Sequence, residues 1–306
     1  MSFTLFADTR LTLARDSLAG LSVGDALGSQ FFVPGRQPAD LAAGRLPPPP
    51  WEWTDDTEMA CSVVAELSDA GHIDQDRLAL AFAERCEPYR GYGPGAVTVL
   101  RLIRTGTPWP VAAASAFDGQ GSLGNGAAMR VAPLGAYFAD SPSRAAAEAR
   151  ASAEVTHAHA EGIAGAVAVA VAAAFAARGR LDGHRPAADR LLAGVAAAVD
   201  PATEVHRRVR LAADLLGRPL PQAVAALGNG SRVTAQDTVG FTLWVAASRL
   251  DDYPAAIRAC VEAGGDVDTT AAIVGGIVAA YAGVGTPGGV PQRWLATREP
   301  LPQWLS

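Results

Sequence analysis

The chain contains no lysine, so its 25 basic residues are all arginine, and they are outnumbered by 31 acidic residues. The resulting net charge of −6 argues against a protein that coats nucleic acid by bulk electrostatic attraction. It does not exclude a nucleotide-like ligand, because backbone N–H groups can bind phosphate without a net positive charge. Nucleic acid is therefore expected as a partner only if it is itself a modified substrate.

Cysteine is also scarce. Cys61, Cys86 and Cys260 are far apart in the sequence and form no Cys-x-x-Cys pair, which argues against a zinc site. Sparse, unpatterned cysteine is typical of proteins in a reducing compartment. Residues 1–15 mix charged and apolar side chains and lack the apolar centre of a signal peptide. We therefore predict a cytoplasmic protein.

Long charge-free stretches are limited to residues 162–177 and 269–292. The first is short for a membrane span, and the second is rich in glycine and proline. Both are predicted to be helices buried inside a soluble protein, and no membrane is expected as a partner.

Sustained alternation of apolar and polar residues, the pattern of strands, is missing as well. Apolar residues recur at helical spacing instead, and the abundant alanine favours helices that approach one another closely. Helices are predicted at 11–27, 58–70, 76–86, 96–105, 110–116, 143–155, 162–178, 187–199, 203–216, 221–226, 238–250, 254–263 and 269–282. We predict an all-α fold in one domain spanning residues 1–306.

Two acidic clusters stand out against this background. Residues 53–58 read Trp-Thr-Asp-Asp-Thr-Glu, and residues 264–270 read Gly-Gly-Asp-Val-Asp-Thr-Thr. Each precedes an apolar helix and combines carboxylates with hydroxyls, the oxygen ligands that Mg²⁺ prefers. If the clusters meet in the fold, they could hold two metal ions and activate water or bind a polyol or phosphate.

The alternative interpretation of both clusters is helix capping, because Thr and Asp are preferred at helix N-termini. Capping, however, needs one good residue, whereas each cluster offers several oxygen ligands. The recurrence of the pattern before two apolar helices favours the metal site.

A glycine-rich loop at residues 119–126 could bind an anion through successive backbone N–H groups, or could be a flexible connection between helices. Arg130, just beyond it, could place a guanidinium near the site or form a structural ion pair. His157 and His159 are two residues apart, so they do not share a helical face and are not a helical metal pair. We expect one of them to bind a ligand phosphate or hydroxyl, and we expect Asp237 to cap a helix.

These motifs resemble those of the ADP-ribosylglycohydrolase family, helical hydrolases with two metal ions. The resemblance covers nearly the whole chain. It rests on GLSVGDALG (20–28), WTDD (53–56), RGYGPG (90–95), GSLGNGAAMR (121–130), TH (156–157) and GDVDT (265–269).

The resemblance implies an orthogonal all-α bundle with two Mg²⁺ or Mn²⁺ ions in a central cleft. The metal ligands it implies are Thr54, Asp55, Asp56, Asp266, Asp268 and Thr269. Of these, Asp55, Asp56 and Asp268 are the predicted catalytic residues. Asp25, in the first motif, is expected to have a structural role.

The resemblance also implies how a ligand is bound. Phe117 matches an aromatic residue that stacks on adenine, while Ser122 and His157 match phosphate and ribose contacts. The glycine segments that would hold the phosphates supply the remaining predicted substrate-binding residues: Gly93, Gly95, Gly121, Gly124, Asn125 and Gly126.

One position departs from the family pattern. Many members carry a glutamate, linked to the metals and to catalysis, where this chain has Phe32, and Ser29, Gln30 and Phe31 offer no carboxylate instead. The resemblance implies cleavage of the glycosidic bond at C1 of the distal ribose in an ADP-ribosylated protein or small molecule. Phe32 keeps two alternatives open: a relative that binds ADP-ribose without turnover, and a metal hydrolase for a different small nucleotide.

Overall fold

Helices make up all the regular structure of residues 4–305, the part of the chain that the computed structural model describes. No sheet forms within this range, where only three isolated β-bridges occur. The all-α prediction is therefore confirmed. The α-helices are α1 (Ala7–Ser29), α2 (Pro38–Ala42), α3 (Asp55–Ala70), α4 (Gln75–Arg85), α5 (Pro94–Arg104), α6 (Trp109–Gly119), α7 (Ala132–Tyr137), α8 (Pro142–Glu154), α9 (Ala160–Leu181), α10 (Ala188–Ala198), α11 (Glu204–Asp214), α12 (Leu220–Leu227), α13 (Ala235–Ser248), α14 (Tyr253–Ala263), α15 (Val267–Ala282) and α16 (Gln292–Thr297).

Every helix predicted from the sequence overlaps an observed one, whereas three short helices were missed. These are α2, α7 and α16, of five or six residues each. Helices this short complete fewer than two turns, so they show no apolar periodicity. A proline lies in the first turn of α2 and of α7, and Pro291 occupies the N-cap position of α16.

The packing of α1 against α15 depends on glycines spaced four residues apart on one face of α1. A Cβ added to Gly20 would lie 2.4 Å from the carbonyl oxygen of Gly275, and one added to Gly24 would lie 2.1 Å from that of Ala271. At Gly28 the corresponding distance to the carbonyl oxygen of Val267 is 2.7 Å. The two antiparallel backbones therefore approach more closely than any side chain permits, and the start of α15 lies beside the end of α1.

Buried residues from α1 through α16 form one large hydrophobic cluster. Helix α9 is long and apolar enough to cross a membrane, and no other helix of residues 4–305 is. In its most apolar window 83% of the residues are buried inside the protein. The charge-free stretch at 162–177 is thus a core helix, as the sequence predicts. The three cysteines are buried and form no disulfide.

The segment that leads into α3 is fastened to the C-terminal part of the chain. The backbone N–H of Trp51 donates to the Thr297 carbonyl (3.1 Å), and that of Glu299 donates to the Trp51 carbonyl (2.9 Å). Arg90 donates to both carboxylate oxygens of Glu299 (2.7 and 3.0 Å) and to the Trp53 carbonyl (3.1 Å). Its guanidinium carbon also lies 3.4 Å from the centre of the Trp53 ring. These contacts fix the backbone immediately before Thr54.

We expect Gly24→Ala to destabilise the protein by about 3 kcal/mol, because the new methyl group would meet backbone atoms that cannot rotate away. Denaturant unfolding measures the change. Gly93→Ala is the matched control, since its added Cβ has nothing within 4 Å. Equal stability of the two variants would show that the close helix contact is dispensable.

Candidate metal centre and ligand cleft

The two acidic clusters meet in the fold. The Thr269 hydroxyl at the start of α15 lies 3.4 Å from Oδ2 of Asp56 at the start of α3, across 213 residues of sequence. Asp25, Asp56 and Asp268 each present a carboxylate oxygen, and these atoms all lie within 4.8 Å of one another. The contact between α1 and α15 thus brings three distant parts of the sequence to one acidic site.

Helix capping accounts for only part of this arrangement. The Thr54 side chain caps α3 by accepting from the backbone N–H of Asp56 (3.4 Å). Asp266 occupies the N-cap position of α15, yet its side chain makes no capping hydrogen bond. Its carboxylate accepts instead from Nδ2 of Asn125 (2.7 Å), and Oδ1 of Asp268 accepts from the backbone N–H of Thr269 (2.8 Å).

Asp25 holds the site together from the side of α1. Its carboxylate accepts from the backbone N–H and hydroxyl of Thr54 (2.9 and 2.8 Å) and from those of Thr57 (3.2 and 2.5 Å). The Thr54 hydroxyl gives its one proton to Asp25 and accepts from the Asp56 N–H, so one lone pair remains available to a cation. The expected structural role of Asp25 fits these bonds, although the sequence did not indicate how close it lies to the acidic clusters.

Burial and mutual repulsion raise the pKa values of these acids, so the acids keep their protons to a higher pH. Burial, followed by the charge of Asp25, raises the pKa of Asp55 to about 7. The same two causes raise the pKa of Asp56 well above its ordinary value. The pKa of Asp268 is raised well above its ordinary value by burial and by the charge of Asp266, and burial raises that of Asp25 to about 6. Several carboxylates are therefore crowded together without a positive charge between them.

The residues present fit a hard divalent cation. Oδ1 of Asp56 is buried and has no hydrogen-bond partner among residues 4–305. A buried carboxylate oxygen without a partner is costly unless it is paired or binds a metal. The surrounding donors are carboxylate and hydroxyl oxygens, the set that Mg²⁺ and Mn²⁺ prefer. The site could therefore hold one or more such ions through the predicted ligands.

A path of glycines connects this acidic site to an exposed aromatic ring. A Cβ added to Gly91 would lie 3.7 Å from Oδ1 of Asp55. The chain then continues through Gly93, the N-cap of α5, to Gly95, whose added Cβ would lie 3.7 Å from the ring of Phe117. The Phe117 side chain is 62% exposed.

The backbone around Phe117 is strained. Phe117 and Asp118 both have positive φ, 53° and 56°, and interrupt the helical geometry of α6. Such conformations cost about 1–3 kcal/mol per residue and cluster at functional sites. In this conformation the apolar ring of Phe117 is exposed to solvent beside Gly95.

The glycine loop is more ordered than a flexible connection. Gly121 has a φ of 76°, and its added Cβ would lie 2.7 Å from the backbone nitrogen of His159. The N–H of Gly124 donates to Oγ of Ser122 (3.1 Å), and that of Asn125 donates to the Val233 carbonyl (3.3 Å).

These bonds leave a smaller anion site than the sequence suggests. The N–H groups of residues 122, 123 and 126 have no acceptor among residues 4–305, so within the loop they are the ones left for a ligand. Gly126 passes beside the His157 ring, with its added Cβ 3.3 Å from Cε1. The side chain of Asn125 is occupied by Asp266 and by the Thr238 hydroxyl (3.1 Å), so it links the loop to the acidic site.

At the edge of the site, several residues make contacts that differ from those the sequence predicts. Arg130 is fully buried and pairs with no carboxylate within residues 4–305, so the predicted ion pair is wrong, whereas its bond to Thr156, which contacts His157, keeps its guanidinium near the site. His159 caps α9 through Nδ1, which accepts from the N–H of Glu161 (3.1 Å). Asp237 lies in the first turn of α13 and accepts from the N–H of Arg232 (3.0 Å). Phe32 follows α1 in a short 3-10 helix and is 53% exposed.

Sequence reasoning missed two features of the site. It predicted Asn125 as a substrate-binding residue but not its bond to Asp266, and it did not single out Val233, which has an exposed side chain and a φ of 55°, rare for a β-branched residue. Neither carries a local sequence signal, because both depend on contacts between distant segments.

The fold agrees with what comparison with known proteins shows. The sequence model of the family described as ADP-ribosylglycohydrolase matches residues 7–306. The chain therefore belongs to the ADP-ribosylglycohydrolase family.

Individual relatives support this assignment. The chain is 35% identical to ADP-ribosylhydrolase ARH3 of Homo sapiens over 143 residues, which cover 40% of this chain and 39% of the human protein. It therefore aligns with about two fifths of that relative's length. An uncharacterized protein of Archaeoglobus fulgidus is 32% identical over 304 residues, covering 92% of this chain and 90% of its own. A solved structure described as an ADP-ribosylglycohydrolase-related protein complex has a TM-score of 0.66 at 27% identity, covering 95% of this chain and 94% of its own.

We expect the stability of the metal-free protein to fall as the pH rises from about 4 to about 7. The folded-state pKa values of Asp25 and Asp55 are about 6 and about 7, above their ordinary 3.8, so the folded state keeps protons that the unfolded state has released. Mg²⁺ should raise the melting temperature more at about pH 7.5 than at about pH 5, because protons compete for the same oxygens. At a hundred times its Kd, the ion should add about 2.7 kcal/mol.

Calorimetric melting with chelator or MgCl₂ at both pH values measures this. The rise in melting temperature caused by Mg²⁺ should disappear in Asp56→Asn. It should persist in Asp189→Asn, because Asp189 is an exposed acid in the first turn of α10. No change in melting temperature on addition of Mg²⁺ at either pH would contradict the metal assignment.

Proposed function

We propose that this chain is a hydrolase that depends on divalent metal and cleaves the glycosidic bond at C1 of the distal ribose in an ADP-ribosylated protein or small molecule. The observation that carries the proposal is the convergence of carboxylates from α1, α3 and α15, those of Asp25, Asp56 and Asp268, at one end of a glycine-lined path that leads to Phe117. Membership of a family of ADP-ribosylglycohydrolases supports the same chemistry.

The cleft suits an elongated ligand with a sugar at one end and a base at the other. The acidic site would take the distal ribose through its hydroxyls, with Thr54, Asp266 and Thr269 completing the oxygen ligands. The segments 91–95 and 121–126 would pass the two phosphates, and Phe117 would stack on adenine. His157 and Ser122 lie on the glycine-loop side, where they would contact phosphate or ribose oxygens.

Bound Mg²⁺ or Mn²⁺, with two ions as the proposed number, would supply charge stabilisation and a lower pKa for the attacking water. The protein's own contribution is orientation. Asp55, Asp56 and Asp268 would hold that water on one face of C1 and accept its proton while the bond to the leaving group breaks. Fixing sugar and water in one geometry removes much of the entropic cost of bringing them together.

Phe32 favours a second candidate function, a protein that binds ADP-ribose without turning it over. Its exposed aromatic ring stands where the resemblance implies a catalytic glutamate, and Ser29, Gln30 and Phe31 supply no carboxylate. Binding of ADP-ribose with Mg²⁺ in calorimetry, together with no hydrolysis of any linkage tested, would favour this alternative.

We expect Asp268→Asn and Asp56→Ala each to lower metal-dependent release of ADP-ribose by at least about 10³-fold, since each removes a buried carboxylate that holds both cation and water. Release can be measured by chromatography on substrates linked through arginine, serine, a nucleobase and a small molecule. Asp189→Asn is the control and should keep full turnover. Unchanged turnover in both site variants would refute the assignment.

Phe117→Ala should weaken ADP-ribose binding about tenfold, because base–aromatic stacking contributes about 1–3 kcal/mol. Binding of ribose 5-phosphate, which has no base, should not change. Val111→Ala, at another exposed apolar residue of α6, is the matched control. Calorimetry with both ligands measures the difference, and an equal loss for the two ligands would contradict a stacking role.

A further inference from the structure

Arg130 is a fully buried guanidinium with no acidic partner among residues 4–305. Its Nη2 donates to the Ser152 carbonyl (2.7 Å) and to Oγ1 of Thr156 (3.0 Å). Nη1 lies 3.5 Å from Sδ of Met59, and the guanidinium carbon lies 4.4 Å from the centre of the Phe82 ring. Its Nε is buried and has no hydrogen-bond partner within residues 4–305. A buried cation held only by neutral groups needs an explanation, because an apolar side chain would be less costly there.

The bond from Arg130 decides how Thr156 uses its single hydroxyl proton. A guanidinium can only donate, so Oγ1 of Thr156 must accept from it. The other partner of Oγ1 within residues 4–305 is Nδ1 of His157, at 2.8 Å. Thr156 is 4% exposed, so its hydroxyl would be left buried and unsatisfied unless it donates to Nδ1. Nδ1 therefore carries a lone pair and no proton.

The charge state of His157 agrees with this bonding. Burial, followed by the charge of Arg130, lowers the pKa of His157 to about 3. Burial lowers the pKa of Arg130 to about 9, so the guanidinium is still charged at neutral pH. A neutral imidazole without a proton on Nδ1 carries it on Nε2.

Nε2 of His157 faces the glycine loop. A Cβ added to Gly126 would lie 3.4 Å from this atom, and one added to Gly124 would lie 3.6 Å from it. The absence of side chains at these two positions leaves Nε2 accessible from the loop, and no described residue accepts a hydrogen bond from it. An oxygen atom of a ligand held by this loop would be the acceptor.

We propose that Arg130 is a positioning residue which, through the Thr156 hydroxyl, fixes His157 as a neutral imidazole with its proton on Nε2, ready to donate to a phosphate or ribose oxygen of the ligand. The inference rests on the proposed function for the identity of that ligand. The proton arrangement itself is a property of the free protein. Arg130 thus influences binding without touching the ligand.

Nitrogen-15 NMR of histidine-labelled, ligand-free protein tests the proton arrangement directly, with His157→Gln to assign the signals. We expect Nε2 of His157 to be protonated and Nδ1 unprotonated across neutral pH. A proton on Nδ1, or on both nitrogens, would overturn the proposal. This result does not depend on whether the protein binds or hydrolyses ADP-ribose, so failure of the proposed function would be seen separately as no binding in calorimetry.

Matched variants test the relay, by which we mean the hydrogen bonds from Arg130 through Thr156 to His157. Thr156→Val should give a mixture of the two His157 tautomers and weaken ADP-ribose binding with Mg²⁺ about fivefold, the effect of losing one hydrogen bond of about 1 kcal/mol. Thr156→Ser, which keeps the hydroxyl, should restore a single tautomer and an affinity within about twofold of the native one. Arg130→Met should also mix the tautomers, and if it fails to fold, the Thr156 pair decides. Native tautomer and native affinity in Thr156→Val would overturn the relay.

Discussion

The close contact between α1 and α15 is the constraint on which the rest of the structure depends. It requires backbone against backbone at Gly20, Gly24 and Gly28, and it places the end of α1 against the start of α15. Asp25 and Asp268 become neighbours only through that contact. The carboxylates gathered there repel one another and raise one another's pKa, so the surrounding helix packing must offset their cost in the absence of a cation.

Around this constraint, helix ends and glycine loops contribute in different ways. The starts of α3 and α15 direct carboxylates and hydroxyls to one place, and the positive ends of their helix dipoles partly offset the negative charge. The loops contribute mainly backbone, because a side chain at Gly121 would collide with the backbone of residues 158–159 and one at Gly126 would press on the His157 ring. Asn125 joins the two parts by donating to Asp266 from within the glycine loop.

The sequence predicts what depends on local pattern and misses what depends on long-range contact. Apolar spacing located every long helix, and the matching composition of the two acidic clusters indicated that they belong together. The bonds that Asp25 accepts from Thr54 and Thr57, and the burial of Arg130 without an acid, arise from segments far apart in the chain. Neither has a periodic or compositional signature, so single-sequence reasoning could not choose between the two roles that it gave Arg130, and the ion pair is the one that is wrong.

The tie between the segment before α3 and residues 297–299 has a consequence for biosynthesis. The backbone that presents Thr54 is held by the bonds between Trp51 and Thr297 and by the pairing of Arg90 with Glu299, which lies 209 residues further along the chain. Because the ribosome makes the chain from its N-terminus, these contacts can form only after residues 297–299 have been synthesised. Early helices can form before that point, but the acidic site acquires its final geometry only afterwards, and until then its carboxylates stay in water, where their charges cost little.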